Sequence, residues 1–328
     1  MILYYAPARF CPTITAVLAE SGARHTSDLM ADWDLYLSTS GKALKMLLPS
    51  RTDQWIARLP GAGHLSNKTA LWQGLRNRLG RDEAGALMPE SWQLDHPGDA
   101  DLIAEQPPGT VFIAKDPILE RRRGLRLCAD LPALHAAAAD GLTLIQRLLP
   151  DLRLVDGHRF HLRLYIVLIY RDRVLSLWRH ALGRSIWAPA PMGDSLLEFD
   201  AVITRGSMLL PGRPIDLAGL LALLDDLDTD DLMARIDAVL ATTITTIAPS
   251  LIKRWNFSSN PSFHLFGADI VVDIHGGVRL IELNSGPDLT PRNEADRRLK
   301  STMVADLLRL VELTPGSPDG FHQLPLDR

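Results

Sequence analysis

The chain has 328 residues, 46% hydrophobic and 23% charged, a balance that suits a folded protein of two or three lobes and argues against disorder. Lys and Arg number 35 against 39 Asp and Glu, so the net charge of −4 supplies no global basic field for nucleic acid or an anionic membrane. Cys11 and Cys128 lie far apart without a C-x-x-C pair, which indicates neither a disulfide framework nor a thiolate zinc site; both read as packing residues of a cytoplasmic protein.

In chain order, residues 2–5 read as a short strand, 14–20 as a helix stopped by Gly22, and 35–37 as a second strand. No basic n-region precedes Pro7, and no apolar run reaches the roughly 18 residues of a membrane span. Residues 59–63, Leu-Pro-Gly-Ala-Gly, break the pattern; Asn67 then starts a helix with Leu71, Leu75 and Leu79 on one side and Gly80 after it. A strand over 111–115, a basic loop Arg121-Arg122-Arg123-Gly124, a helix over 132–139 and a strand over 143–148 follow, the last ended by Pro150. Residues 160–170 and 174–178 flank Arg171-Asp172-Arg173 as an antiparallel hairpin. A helix over 232–247 stops at Pro249, and a second hairpin pairs 263–274 with 278–283 around His275-Gly276-Gly277. The last helix spans about 294–313 with Leu299, Met303, Leu307 and Leu310 on its apolar face, and the tail after Pro315 is expected to be loose. The expected units are a small α/β lobe at 1–65, a central lobe at 66–147, a C-terminal lobe at 148–314 and the tail 315–328.

The second hairpin carries the most chemistry. Strand side chains alternate faces, so Glu282 and Asn284 share one face. A four-residue connection, 274–277, sets Asp273 against Val278 and Asp269 directly opposite Glu282; one residue of slip would turn Glu282 away. Two carboxylates and an amide among Ile, Leu and Val need a cation between them, and hard oxygen donors without a His or Cys pair favour Mg²⁺ with phosphate oxygens over zinc. The same spacing also suits a solvated polar face. On residues 159–163, Arg159, His161 and Arg163 form a cationic stripe opposite Phe160, Leu162 and Leu164, and Arg184 beyond the hairpin could add a guanidinium; both also suit solvated positions. Lys115 ends an apolar strand and Lys68 lies near a helix start, each able to hold a phosphate as a point charge or to sit at the surface. No Walker loop, no G-x-G-x-x-G and no nucleophile elbow at Ser207 occur, so P-loop, Rossmann and serine-hydrolase chemistry find no support.

Taken in order, these motifs resemble the tubulin–tyrosine ligase and tubulin polyglutamylase family of the ATP-grasp superfamily. Asn67-Lys68-Thr69-Ala70-Leu71 resembles its lysine-containing helix start, Met88-Pro89-Glu90-Ser91-Trp92 its central strand entry, Val111-Phe112-Ile113-Ala114-Lys115 its nucleotide-lysine strand and Leu144-Ile145-Gln146-Arg147 its adenine hinge. Asp156 to Tyr165 is similar to the family's G-(x)-K-F-D-x-R-x-Y strand and Arg179 to Arg184 to its R-E-G-x-x-R segment. Most specific are Ser262 to Asp269 and Leu280-Ile281-Glu282-Leu283-Asn284, at the family's own spacing of thirteen from Asp to Glu; the resemblance runs from about residue 33 to residue 287.

The resemblance implies a three-lobed α/β ATP-grasp fold, with mainly antiparallel sheets enclosing the nucleotide. It implies an ATP- and Mg²⁺-dependent carboxylate–amine ligase that works through an acyl phosphate and joins an amino acid, such as glutamate or tyrosine, to a peptide or protein. The implied roles are metal binding by Asp269, Glu282 and Asn284, catalysis by Glu282, Arg163 and Arg184, and nucleotide binding by Lys68, Lys115, Gln146, Arg159 and His161. A monomer or weak dimer acting without nucleic acid or membrane is expected.

Three departures bear on the substrate. The family's Lys-Phe-Asp is Arg159-Phe160-His161, its His-Leu-Thr-Asn survives as Val202-Ile203-Thr204-Arg205, and its glycine-rich flap is Glu120-Arg121-Arg122-Arg123-Gly124, whose arginines suit phosphates, an acidic polypeptide or solvent. The first two keep open a nucleotide-binding scaffold without turnover; a kinase-like ATP-grasp enzyme acting on a small molecule is a third reading.

Overall fold

The structure, a computed structural model, describes residues 1–7, 10–37, 51–116, 124–252 and 260–326; the loop Arg121-Arg122-Arg123 lies outside the described residues. Near the N-terminus β1 (Leu3–Tyr5), α1 (Pro12–Glu20), β2 (Arg24–Thr26), β3 (Leu35–Tyr36) and β4 (Trp55–Ile56) form a parallel ribbon in the order β4-β3-β1-β2. Helix α1 begins before Ile14 because Pro12 suits a first turn, where a missing N–H leaves no bond unmade.

Two helices then lead into a second sheet. They are α2 (Gly63–Ser66) and α3 (Lys68–Leu79); the Asn67 side chain caps α3 by accepting from the Ala70 N–H at 2.9 Å, and Gly80, at φ +87°, ends it. After α4 (Arg81–Leu87) come β5 (Ser91–Gln93), α5 (Asp99–Ala104), β6 (Phe112–Lys115), β7 (Leu125–Cys128), α6 (Leu131–Ala139) and β8 (Leu144–Arg147). The four strands make an antiparallel sheet, β5-β8-β6-β7, around Trp92, Phe112, Ala114, Leu134 and Ile145, with Cys128 buried among them.

The C-terminal half contains β9 (Leu154–Val155), β10 (His158–Arg171), β11 (Val174–Trp187), α7 (Phe199–Val202), α8 (Leu217–Leu221), α9 (Thr229–Ile252), β12 (Ser262–Val272), β13 (Val278–Ser285), α10 (Glu294–Leu310) and β14 (Phe321–Leu324). Ser262 of β12 pairs with Ile56 of β4, so the parallel ribbon and the antiparallel strands β14-β11-β10-β12-β13 belong to one ten-stranded sheet. Leu162, Leu164, Ile166 and Leu168 of β10 pack into a core with α3 and α9, whereas Tyr165, Val167 and Ile169 pack into another with α1 and α10. Burial on both faces is why this strand reads as a nearly continuous apolar run.

Several expectations are corrected. Strand β11 runs on to Trp187, carried by pairing with β10 as far as Phe160. Helix α9 continues through Pro249 to Ile252, because a proline so near the last turn forfeits little while Ile247 and Leu251 are buried in the core. By length and composition α9 is also apolar enough to cross a membrane, contrary to the sequence expectation; here Leu232, Ile236, Leu240 and Ile244 are buried in a protein core. Residues 321–324 are not loose: they form β14, which pairs with Leu177 to His180 of β11 while Phe321 and Leu324 are buried.

Candidate active site

The register of β12 on β13 brings the site together, by a route different from the one expected. Val272 pairs with Val278, so the connection holds five residues, Asp273 to Gly277, rather than four. A β-bulge between Asp269 and Ile270 then inserts Ile281 into β13 and returns Glu282 to a position opposite Asp269. The neighbouring strands extend this pair into a row, since Asp269 pairs with Arg163 on β10 and Arg163 with Arg184 on β11. Arg184, Arg163, Asp269 and Glu282 therefore cross four strands side by side.

Arg163 binds Asp269 with both prongs, Nε to Oδ1 and Nη2 to Oδ2 at 2.9 Å. Burial alone would push the Asp269 carboxyl up, but Arg163 and His161 outweigh it and hold the group well below the usual carboxylate range. Gly267, two pairs further along, leaves room for this guanidinium: a Cβ there would stand 2.8 Å from Arg163 Cδ and 3.0 Å from Pro287 Cβ. Asn284, opposite Gly267, donates Nδ2–H to Asp269 Oδ2 at 3.2 Å. Among the described residues no three His, Cys, Asp or Glu cluster as metal ligands, so a cation here would rest on two carboxylates and an amide oxygen. That all-oxygen set fits Mg²⁺, which keeps waters and phosphate oxygens in its shell.

Cations approach from the other sheet and from α3. Lys68, in the first turn of α3, reaches Glu282 Oε2 at 2.6 Å, both side chains about a quarter exposed. Lys115, at the end of β6, is buried and donates to Gln146 Oε1 at 2.6 Å; Gln146 Nε2 in turn donates to Ser91 Oγ at 3.1 Å. Burial, helped by the positive charge of Lys68, pulls Lys115 down to about 8, while Glu282 and Asp269 pull the other way. Lysine and carboxylates thus feel one another across the space between the two sheets.

The other candidates are held by partners of their own. Arg159 is buried and donates to the carbonyls of Leu149 and Pro150, each at 3.1 Å; burial lowers it to about 10. His161 stays beside the row, Nδ1 bonded to Thr204 Oγ1 at 2.8 Å and Nε2 3.5 Å from Asp269 Oδ1. Arg184 is turned toward Asp296, which is shared with Lys300. Gln146 has both amide atoms engaged by Lys115 and Ser91. Sequence reasoning missed Ser91, Thr204, Asp296 and Lys300. Asp296 and Lys300 had left a signal, since they lie on the same helical face as Leu299, Met303 and Leu307, where charges are out of place unless paired.

The chain is a mixed α/β protein whose mostly antiparallel sheets bring a row of charged side chains and a buried lysine near one another. The tubulin-tyrosine ligase family model matches residues 46–184 and 203–319, and the chain belongs to this family. A probable beta-tubulin polyglutamylase of Tetrahymena thermophila is 24% identical over 322 residues, covering 86% of this chain and 26% of that protein. The human tubulin monoglutamylase TTLL4 is 26% identical, covering 80% of this chain and 24% of its own, and the human probable tubulin polyglutamylase TTLL2 is 26% identical with 86% and 50% covered. The chain thus spans a quarter to a half of the length of these relatives. Residues 185–202, next to Thr204 and its contact with His161, fall outside the family match.

Proposed function

We propose that the protein is an ATP- and Mg²⁺-dependent carboxylate–amine ligase with a three-lobed ATP-grasp architecture, adding an amino acid to a peptide or protein. The observation that carries this reading is the row Arg184, Arg163, Asp269, Glu282 with Lys68 on its end and Lys115 opposite. Support comes also from family membership and from relatives named as tubulin glutamylases, which makes glutamate a first amino acid to test and an acidic peptide a first acceptor.

Asp269, Glu282 and Asn284 would hold Mg²⁺, which when bound supplies charge neutralisation at the phosphates. Lys68 exchanges Glu282 for a phosphate oxygen, and Lys115, kept in place by Gln146, holds another. A substrate carboxylate oxygen attacks the terminal phosphorus of ATP, ADP leaves, and the resulting acyl phosphate is attacked at carbon by an amine, which expels phosphate and loses a proton. Arg163 and Arg184 offset the negative charge that builds on the carboxylate and the transferring phosphoryl group, while Asp269 keeps Arg163 fixed.

One observation favours a second reading. Both carboxylates already have cationic partners, Arg163 and Lys68, as a nucleotide-binding scaffold without turnover would require. Measuring ADP release over a panel of amino acids and acceptor peptides separates the two. Release that needs both an amino acid and an acceptor is expected; ATP binding with no release under any pairing supports the scaffold, and phosphoryl transfer to a non-carboxylate points to a kinase-like enzyme.

A further inference from the structure

The row's other end runs into a buried charge cluster in which only Arg184 has a role in the chemistry above. The side chains of Arg184, Asp296 and Lys300 are 5%, 0% and 0% exposed. Asp296 Oδ2 accepts from Lys300 Nζ at 2.8 Å and from the Arg292 backbone N–H at 2.8 Å, while Oδ1 lies 3.1 Å from Arg184 Nε. Lys300 Nζ also donates to the Thr290 carbonyl at 2.8 Å, and Arg292 Nη2 to Asp288 Oδ2 at 2.6 Å. These contacts fasten residues 288–292, which follow the strand of Glu282 and Asn284, to the helix α10 and to Arg184.

Two features set Arg184 apart from a neutralised structural arginine. The cluster has three cations, Arg184, Lys300 and Arg292, against two carboxylates, Asp288 and Asp296, so one positive charge is left over. Arg163 beside it adds no relief, because its own charge is matched by Asp269. A buried excess charge is costly until an anion completes it. Second, Arg184 Nε and Asp296 Oδ1 are not aligned as a hydrogen bond, and the two terminal nitrogens of Arg184 make none among the described residues. Lys300 and the Arg292 N–H hold Oδ2, which keeps Asp296 from closing on the guanidinium with both oxygens as Asp269 closes on Arg163.

We infer that Asp296 and Lys300 are positioning residues: Asp296 steers Arg184 by charge, Lys300 prevents their full pairing, and the free prongs of Arg184 take a substrate carboxylate. This rests on the ligase reading above. Lys300→Met lets Asp296 capture Arg184, and the paired Asp296→Asn/Lys300→Met variant removes one charge of each sign, so the net charge of the cluster stays as it is.

The test is steady-state ADP release with the amino acid and acceptor that serve the wild type best, for these variants alone and combined with Arg184→Lys, each checked by thermal melting. KM for one carboxylate substrate is expected to rise about tenfold while KM for ATP stays within about twofold. Added to Arg184→Lys, the other changes should cost less than about twofold more, because they act through that arginine. Equal rises in both KM values, or fully multiplicative losses, overturn the inference. If the wild type releases no ADP with any pair, the ligase reading fails, and the same variants are read by calorimetric binding of inorganic phosphate. Non-additive weakening then supports the Arg184 cluster, and additive weakening or no phosphate binding by the wild type refutes it.

Discussion

Lys115 stands at the end of a strand in a four-stranded sheet and leans on the neutral side chain of Gln146, which is held in turn by Ser91, whereas Arg163 lies inside a ten-stranded sheet and is gripped by Asp269. The contrast is one of matched and unmatched charge. A lysine held by an amide and pulled down to about 8 is short of an anion in contact. An arginine in a two-pronged pair is already satisfied, so it supplies fixed orientation rather than affinity. The ten-stranded sheet therefore holds its charged pair in a fixed geometry, while the lysine of the four-stranded sheet is held by an amide alone.

Removing an anion from the row tests that division most severely. Glu282→Gln keeps size and strand pairing but removes the charge that faces Lys68 and would hold the cation. ADP release should fall by roughly 10²–10³-fold or more, with the melting temperature nearly unchanged. Wild-type turnover in this variant would end the assignment of the metal edge.

Gly267→Ala strikes the fixed geometry itself. The added methyl, 2.8 Å from Arg163 Cδ and 3.0 Å from Pro287, forces the guanidinium off Asp269 or the 287 segment outward. Overpacking of this kind costs about 1–3 kcal/mol, visible in denaturant melts, and turnover should drop roughly tenfold. Unaltered kinetics would show that the grip of Asp269 on Arg163 is dispensable.

What could be read beforehand follows the same division. Alternation on the second hairpin puts Glu282 and Asn284 on one face, because strand periodicity is local, but it does not by itself set Asp269 opposite Glu282. The connection length was misjudged by one residue, and the bulge at Ile281 restored the pairing; hydrophobic patterning tolerates such an insertion and so does not reveal it. The directions of Arg159 and Arg184 were illegible for another reason. A strand pattern assigns a face but not a partner, and the partners here are carbonyls at 149 and 150 and an aspartate on a distant helix.

Arg159 sharpens the comparison from the opposite side, as a cation expected at the nucleotide and found among carbonyls. Arg159→Met should cost about 1–3 kcal/mol in unfolding free energy, the penalty of leaving the Leu149 and Pro150 carbonyls without their donors. KM for ATP should stay within about twofold. A large rise in that KM with unchanged stability would return Arg159 to the nucleotide.

The smallest effect concerns how the segment after β4 is tied to the end of β13. The Leu59 N–H donates to His264 Nδ1 at 3.3 Å, which leaves Nε2–H to donate to Ser285 Oγ at 2.8 Å, next to Asn284. This arrangement needs a neutral imidazole, and burial, aided by nearby Arg58, pulls His264 from 6.5 down to about 3. Between those values the unfolded chain takes up a proton that the folded protein refuses, so stability is fully present above about pH 6.5 and declines as pH falls toward 3. One proton of difference amounts to about 1.4 kcal/mol per pH unit. His180, lowered by burial against the pull of Asp306, adds to the same slope, and the depressed Asp269 adds its loss only at lower pH. His264→Gln can accept from Leu59 and donate to Ser285 without titrating, so denaturant melts between about pH 6.5 and 4.5 should show a shallower slope than the wild type, by roughly 1 kcal/mol per unit. An unchanged slope would mean that His264 takes up its proton as readily in the folded protein as in the unfolded chain, and that the link from Leu59 to Ser285 does not depend on a neutral imidazole.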